Sequence, residues 1–317
     1  MPSRDIPCET QKDLLTGYQF LHMIRHPFGS DFAMENCNWK REKLRSTQPF
    51  FVLNSEEFIQ ESYRKDGISH FYMMKKKKGI PLRMIPNGSI DFVFSYTENG
   101  MNSFVNGTPL SPIDDCLTSA TDIFGVRFMP GTHPTGLALH QKDLIGLHFP
   151  LEEYYPKSFD FQGLAEKKLF LDRIRFFLKE YSKLDQKAPE PFGKEALFEY
   201  VCDMIYQNDG QIRIFELSEK TGYSDRYIRK IFQEKMGFSP KIFCNILRLQ
   251  RAIEFLNYGF DEKAADWAAT LGYYDQAQCI RDFRKYLGLT PGQYKKLIKK
   301  GNYQKRAAYA HDPGFPT

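Results

Sequence analysis

What the chain lacks narrows its chemistry first. No stretch holds 18 consecutive apolar residues, so no membrane-spanning helix is expected. The first 30 residues carry no basic-then-apolar leader pattern, so a cytoplasmic location is expected and secretion is not. Cysteine is sparse and scattered, at 8, 37, 116, 202, 244 and 279. No two of these are close enough for a CxxC redox pair or a zinc knuckle, which leaves reduced thiols as the default. No GxSxG, P-loop or GxGxxG element occurs. His133, His140 and His148 are spaced by seven and eight residues and lack the paired start that a metal-binding barrel needs. The expectation is therefore a protein that is not an enzyme and needs neither metal nor cofactor.

Acidic residues are also scarce in one place. Nineteen of the 44 basic residues but only ten of the 39 acidic ones fall between 210 and 307, which leaves the rest of the chain slightly acidic. A basic C-terminal third beside an acidic remainder fits one domain that neutralises phosphates and one that does not, although a solvated basic surface would look the same. Lys75, Lys76, Lys77 and Lys78 form a separate run closed by Gly79 and Pro81, read as an exposed strand end or turn.

Aromatics, at 15%, are abundant, and their spacing changes along the chain. Residues 1–50 form a polar N-terminal extension without assignable chemistry. From 51 to 163 the signals are short aromatic and β-branched runs bounded by Gly, Pro or Asn: Phe50–Leu53, Ser69–Met74, Ile90–Tyr96 and Phe124–Met129. They predict a small barrel or sandwich. Residues 164–208 switch to an i, i+3/i+4 apolar stripe, carried by Leu169, Phe170, Ile174, Phe177, Leu178 and Tyr181 and repeated over Phe192–Tyr206. Residues 210–300 are helical throughout, with turns at Gly222, Gly237, Gly259, Gly272 and Gly288, and 301–317 reads as a flexible tail.

The helical region contains an internal repeat. Leu217-Ser218-Glu219-Lys220-Thr221-Gly222-Tyr223-Ser224-Asp225 aligns with Trp267-Ala268-Ala269-Thr270-Leu271-Gly272-Tyr273-Tyr274-Asp275, and Gly237-Phe238-Ser239-Pro240 aligns with Gly288-Leu289-Thr290-Pro291. Small residues at Ser218 and Ala268 let two helices approach, and the glycines permit the positive φ of a sharp turn. Ser224 and Asp275 are N-cap candidates, and Ser239-Pro240 and Thr290-Pro291 each supply a cap with Pro at the first helical position. Two units are too few for a solenoid. The pattern is that of two helix-turn-helix units.

Those residues resemble the AraC family of bacterial transcription regulators, over about 212–298. Arg248–Leu256 is similar to the family's linker helix, and Gly272 to Tyr294 is similar to its signature segment. Cys279 stands where the family usually has Phe, and Trp267 where it has Ile, which points to local repacking with compensated volume. The resemblance implies two recognition helices in successive major grooves. DNA contacts then fall on Arg226, Tyr227, Arg229 and Lys230 in the first and on Gln276, Ala277, Ile280 and Arg281 in the second. Phosphate contact is the alternative for each single residue.

Leu82–Phe94 with Gly125–Gly131 resembles the cupin-like sensor domain of some AraC-type regulators. The implied fold class is α+β, a small β-barrel domain plus interdomain helices followed by an all-α double helix-turn-helix domain. The implied partners are operator DNA, a small-molecule effector, a second copy paired through 164–208, and RNA polymerase if the protein activates. Asp91, Phe92, Arg127 and Phe128 are the ligand-pocket candidates, with a structural ion pair or outward strand positions as the other reading of Asp91 and Arg127. An alkyl-transferring DNA repair protein would need a four-cysteine zinc site that the scattered cysteines do not provide. A purely architectural DNA binder stays open.

Overall fold

The computed structural model describes residues 47–115, 122–185, 192–258 and 268–309. Helix α1 (Pro49–Leu53) is followed by strands β1 (Ser55–Ser62), β2 (Ile68–Lys76), β3 (Leu82–Met84), β4 (Asp91–Thr97), β5 (Gly100–Asn106), β6 (Ile113–Asp115) and β7 (Asp122–Phe128). A 3-10 turn (Gln141–Leu144), β8 (His148–Pro150), α2 (Leu151–Tyr154), α3 (Phe161–Ala165), α4 (Phe170–Asp185) and α5 (Lys194–Gln207) complete this half. The C-terminal half contains α6 (Ile214–Thr221), α7 (Asp225–Met236), α8 (Pro240–Asn257), α9 (Gln276–Leu287), α10 (Pro291–Lys300), α11 (Tyr303–Arg306) and β9 (Ala308–Tyr309).

Seven strands form one sheet in the order β8-β5-β4-β7-β2-β1-β9, and β3 pairs with β6 in a second, two-stranded sheet. Pairing is antiparallel except for β9, which adds to β1 in parallel. Among the described residues β8 and β9 do not meet, so the sheet is open and the expected barrel closure is absent there.

Side chains alternate between two covered faces, so most residues of the central strands are buried. Phe71, Phe92, Phe94, Phe124 and Phe128 face α4 and belong to one core with Ile174, Phe177 and Tyr181. Phe177 meets the rings of Phe71 and Phe94 edge-on at 5.9 and 6.2 Å. On the opposite face Tyr72, Val93 and Ile123 pack under Phe51 of α1 and under Leu82 and Met84 of β3. Gly125 is required there, since a Cβ would lie 2.0 Å from the Tyr72 ring.

Two expectations need correction. Phe50–Leu53 is a helical turn and not a strand. Pro49 starts it without needing an amide donor, and the Asn54 amide closes it on the Phe50 carbonyl at 2.9 Å. The presumed flexible tail is docked as far as Tyr309: Arg306 donates to the carbonyls of Val52 (3.2 Å) and Ser55, while β9 pairs with Ile59 and Gln60. The apolar stripes of 164–208 pack largely within the chain, while Leu169 and Phe192 stay outward. That of α4 covers the sheet, and Leu197, Phe198, Val201 and Ile205 of α5 join the core of the first helix-turn-helix unit. The lysine run is mixed, with Lys75 and Lys78 outward, Lys76 buried and Lys77 Nζ donating to the Leu53 carbonyl at 2.9 Å.

The halves share buried structure. Phe50, Val52 and Ile85 sit in the same core as Leu249, Ile253, Phe283 and Tyr294. Gln250 of α8, fully buried, accepts from the Thr47 amide at 2.6 Å and donates to the Pro86 carbonyl at 2.7 Å. The 3-10 turn rests against α7, and at the C-cap of α7 a Cβ on Gly237 would lie 2.5 Å from Ile145 Cδ1.

Candidate nucleic-acid interface

The first unit is set by its turn. Gly222 ends α6 with φ 71° and Ser224 caps α7 by accepting from the Tyr227 amide at 3.3 Å. The Ser218 hydroxyl donates to the Asp225 carboxylate, so the small residue that permits close approach also ties the two helices together. In the second unit Gly272 has φ 76°, and Asp275 caps α9 by accepting from the Gln278 amide at 2.6 Å. Gly237 and Gly288 terminate the two recognition helices with φ 76° and 75°. Ser239 and Thr290 then start the next helices, as the sequence pattern required. The helix preceding Gly272 is described only from residue 268, and Gly259 and Trp267 lie outside the described residues.

Each recognition helix buries one stripe and presents another. On α7, Ile228, Ile231, Phe232 and Met236 are buried while Arg226, Arg229 and Lys230 are exposed and Tyr227 is half-buried. On α9, Cys279, Phe283, Tyr286 and Leu287 are buried while Gln276, Ala277 and Arg281 are exposed and Ile280 is half-buried. All eight sequence candidates thus lie off the buried stripes. The electrostatics repeat as well: Arg229 lies 4.0 Å from the Asp225 carboxylate, and Arg281 lies 4.0 Å from that of Asp275. Pairs this exposed hold little energy, so either guanidinium exchanges partners readily.

Three features went unread in the sequence. Tyr274, immediately before the α9 cap, is 95% exposed. Tyr223 stacks on Tyr227 at 5.2 Å and is outward, whereas Tyr273, its partner in the repeat, is buried. The cause lies in the linker helix: Arg248 donates to the Gly272 carbonyl at 3.0 Å, and its guanidinium stands 5.6 Å from the Tyr273 ring. Among the described residues nothing comparable closes over Tyr223. The repeat spacing pairs the two tyrosines but does not show which one the linker covers.

The described cysteines, at 202, 244 and 279, behave as core residues. Cys279 fills the second unit's core, and burial pushes its thiol up to about 12; burial likewise raises Cys244 to about 11 and holds Cys202 well above the ordinary thiol range. Thiolates are therefore scarce at neutral pH, and these side chains should be inert. Iodoacetamide at pH 7.5, read peptide by peptide in a mass spectrometer, should leave 202, 244 and 279 unmodified in native protein and label them in urea. Rapid native labelling of Cys279 would contradict its placement.

The ligand candidates do not converge. Asp91 and Arg127 form a buried two-bond pair, Nε to Oδ1 at 2.8 Å and Nη2 to Oδ2 at 2.5 Å, and the Tyr72 hydroxyl donates to the same carboxylate at 3.2 Å. Phe92 and Phe128 point to the opposite face, into the core under α4. The space beside Arg127 is about 10 Å³, enough for one water. The structural ion pair is the reading that fits Asp91 and Arg127.

Residues 217–297 match the family described as "Helix-turn-helix domain", and residues 65–150 match "Domain of unknown function (DUF6597)". The chain is 28% identical over 119 residues to the uncharacterized HTH-type transcriptional regulator YbfI of Bacillus subtilis, covering 37% of this chain and 42% of that protein. It is 27% identical over 148 residues to the melibiose operon regulatory protein of Escherichia coli, covering 42% and 48%. A 98-residue match at 34% identity to the Staphylococcus aureus regulator SAS0078 covers 30% of this chain and 13% of that protein. The chain thus spans less than half the length of each of these relatives. Among solved structures, ToxT from Vibrio cholerae is similar at 11% identity and a TM-score of 0.39, over 76% of this chain and 96% of that one. The C-terminal domain of the response regulator yesN from Fusobacterium nucleatum is 27% identical over 31% of this chain and 95% of its own, with a TM-score of 0.29. Residues 217–297 of this chain are an AraC-type helix-turn-helix domain.

Proposed function

We propose that the chain regulates transcription by sequence-specific DNA binding, with α7 and α9 entering successive major grooves on one face of a duplex and the N-terminal domain responding to a small molecule. The observation that carries this reading is the repeated exposed stripe, Arg226, Arg229 and Lys230 on α7 and Gln276 and Arg281 on α9, each on a helix fixed by a capped glycine turn. The chemistry suits base edges. Arg pairs bidentately with guanine O6/N7, Gln with adenine, and Ile280 can meet a thymine methyl. Linker helix α8, 18 residues long, spans about 27 Å, a rigid spacer comparable with the ~34 Å repeat of DNA once the units' own widths are added. Lys295, Lys296, Lys299 and Lys300 of α10 suit phosphates better than bases. Effector binding would act by shifting the population of DNA-competent arrangements, and an architectural binder would differ by showing no such response.

Arg229→Ala and Arg281→Ala should each cost about 1–3 kcal/mol of specific DNA affinity and relax sequence preference, with unchanged thermal stability. Mobility-shift titrations on the DNA upstream of the gene check this. Unchanged binding in both variants would defeat the assignment of the recognition helices.

A further inference from the structure

Tyr274 is a large side chain that the fold of the DNA-binding half does not use. It is 95% exposed, more than any other large apolar or aromatic residue among those described. Among the described residues no ring, hydrogen bond or ion pair holds its side chain. Its backbone, by contrast, is fixed. The Tyr274 amide donates to the Gln278 side-chain oxygen at 2.9 Å, and the Gln278 amide donates to the Asp275 carboxylate at 2.6 Å. The ring therefore stands on a rigid base at the start of α9.

Helix capping does not account for an aromatic there. A residue just before an N-cap can pack against the fourth helical residue. For Tyr274 that residue is Cys279, which lies in the core, and the exposure of the Tyr274 ring shows that the two do not pack. The repeat makes the position more distinctive. Counted from the turn glycines Gly222 and Gly272, Tyr274 matches Ser224, which is itself the cap of α7. In the second unit the cap moves one residue on, to Asp275, and position 274 is released from capping. The first unit has its own outward tyrosine at this edge, Tyr223, stacked on Tyr227.

The surroundings suit a polyanion. Tyr274 adjoins Asp275, whose carboxylate lies 4.0 Å from Arg281, and it leaves α9 at the end that presents Gln276. The basic excess of 210–307 draws phosphates towards this half of the molecule. A phenol is a neutral hydrogen-bond donor, and tyrosine hydroxyls are among the groups that donate to DNA phosphates. A single ring flanked by the exposed Asp275 and Gln276 is not an apolar patch, so a protein partner would find little else to bury there.

We propose that Tyr274 is a DNA-backbone contact: its hydroxyl donates to a phosphate oxygen at the edge of the groove that α9 enters, and so sets the register of Gln276 and Arg281 over the bases. The proposal rests on the reading of α9 as a recognition helix. The contact positions the helix without reading sequence, and being neutral it displaces no counterion.

Titration of full-length Tyr274→Phe and Tyr274→Ala into the upstream DNA and into random DNA of equal length tests this. Tyr274→Phe removes only the hydroxyl. Both variants should bind both DNAs about tenfold more weakly, with sequence preference, salt slope and melting temperature unchanged. Ethylating one particular phosphate of the upstream DNA should weaken the wild type and leave Tyr274→Phe unaffected, since both changes remove the same bond. Wild-type affinity in Tyr274→Phe overturns the proposal even where Tyr274→Ala is weaker, because the ring alone would then make the contact. A loss confined to the upstream DNA overturns it as well, because the hydroxyl would then be reading a base. Equal wild-type binding to both DNAs, with both weakened in Tyr274→Phe, fails the sequence-specific reading and leaves the contact standing. A wild-type chain that binds neither DNA fails both.

Discussion

Asp91→Ala is expected to cost about 3–5 kcal/mol of stability in the sheet domain, because it strands a buried guanidinium. Arg127 is 2% exposed and is held in place by Asp91 and by the faces of Tyr72 and Phe51, 5.3 and 5.8 Å from its guanidinium carbon. Burial alone works against the charge on Arg127, but the adjacent Asp91 carboxylate outweighs it and keeps the guanidinium's pKa raised. The sheet fixes the pair as well as the charge: Asp91 and Arg127 are directly opposite across β4 and β7, and Asn106 and His70 continue the same row on either side. Urea unfolding followed by tyrosine fluorescence and circular dichroism measures the loss. The double variant Asp91→Leu with Arg127→Met should recover most of it, since an apolar pair carries no stranded charge. A loss below about 1 kcal/mol in the single variant would contradict the account of the pair.

Gln250→Leu should cost about 2–5 kcal/mol and loosen the DNA-binding half from the sheet domain. Both ends of this carboxamide are used, the oxygen by the Thr47 amide and the nitrogen by the Pro86 carbonyl, inside a core that also holds Phe50, Ile85 and Leu249. Leucine keeps the volume and leaves the part-buried Thr47 amide and the buried Pro86 carbonyl without partners, worth up to about 3 kcal/mol each. Hydrogen exchange should show faster exchange at Thr47 and Ile85 before any change in α9. Gln250→Glu supplies an acceptor but no second donor and should fall between. Full stability in Gln250→Leu would mean that the two halves are not joined through this residue.

How far the sequence predicted the structure depends on whether the signal was local. The caps and turn glycines of the helix-turn-helix units were legible because Ser224, Asp275, Ser239 and Thr290 act within three residues of themselves, and the structure has all four in place. The strands Ser69–Met74, Ile90–Tyr96 and Phe124–Met129 were legible for the same reason, their aromatic and β-branched runs being buried on both faces. β1 and β5 were missed, because edge-side strands such as Ser55–Ser62 and Gly100–Asn106 mix exposed polar residues into the pattern. The docking of α11 and β9 was beyond local reading. Arg306 finds its carbonyl partners about 250 residues earlier in the chain, and no periodicity near Tyr303 announces that. Asp91 with Phe92, and Arg127 with Phe128, sit side by side in sequence, yet strand alternation sends them to opposite faces. The outward face of α7 was legible because a 3.6-residue period separates Ile228, Ile231 and Phe232 from Arg226, Arg229 and Lys230.

Sequence-specific binding by α7 and α9 is distinguished from phosphate binding by a salt series. Full-length protein would be titrated into its own upstream intergenic DNA and into random DNA of equal length, from low to physiological salt. A preference of about 10³ or more for the upstream DNA that survives at physiological salt is the predicted result. Equal binding to both DNAs that falls steeply and in parallel with salt would contradict it, because phosphate contacts alone would then account for the affinity.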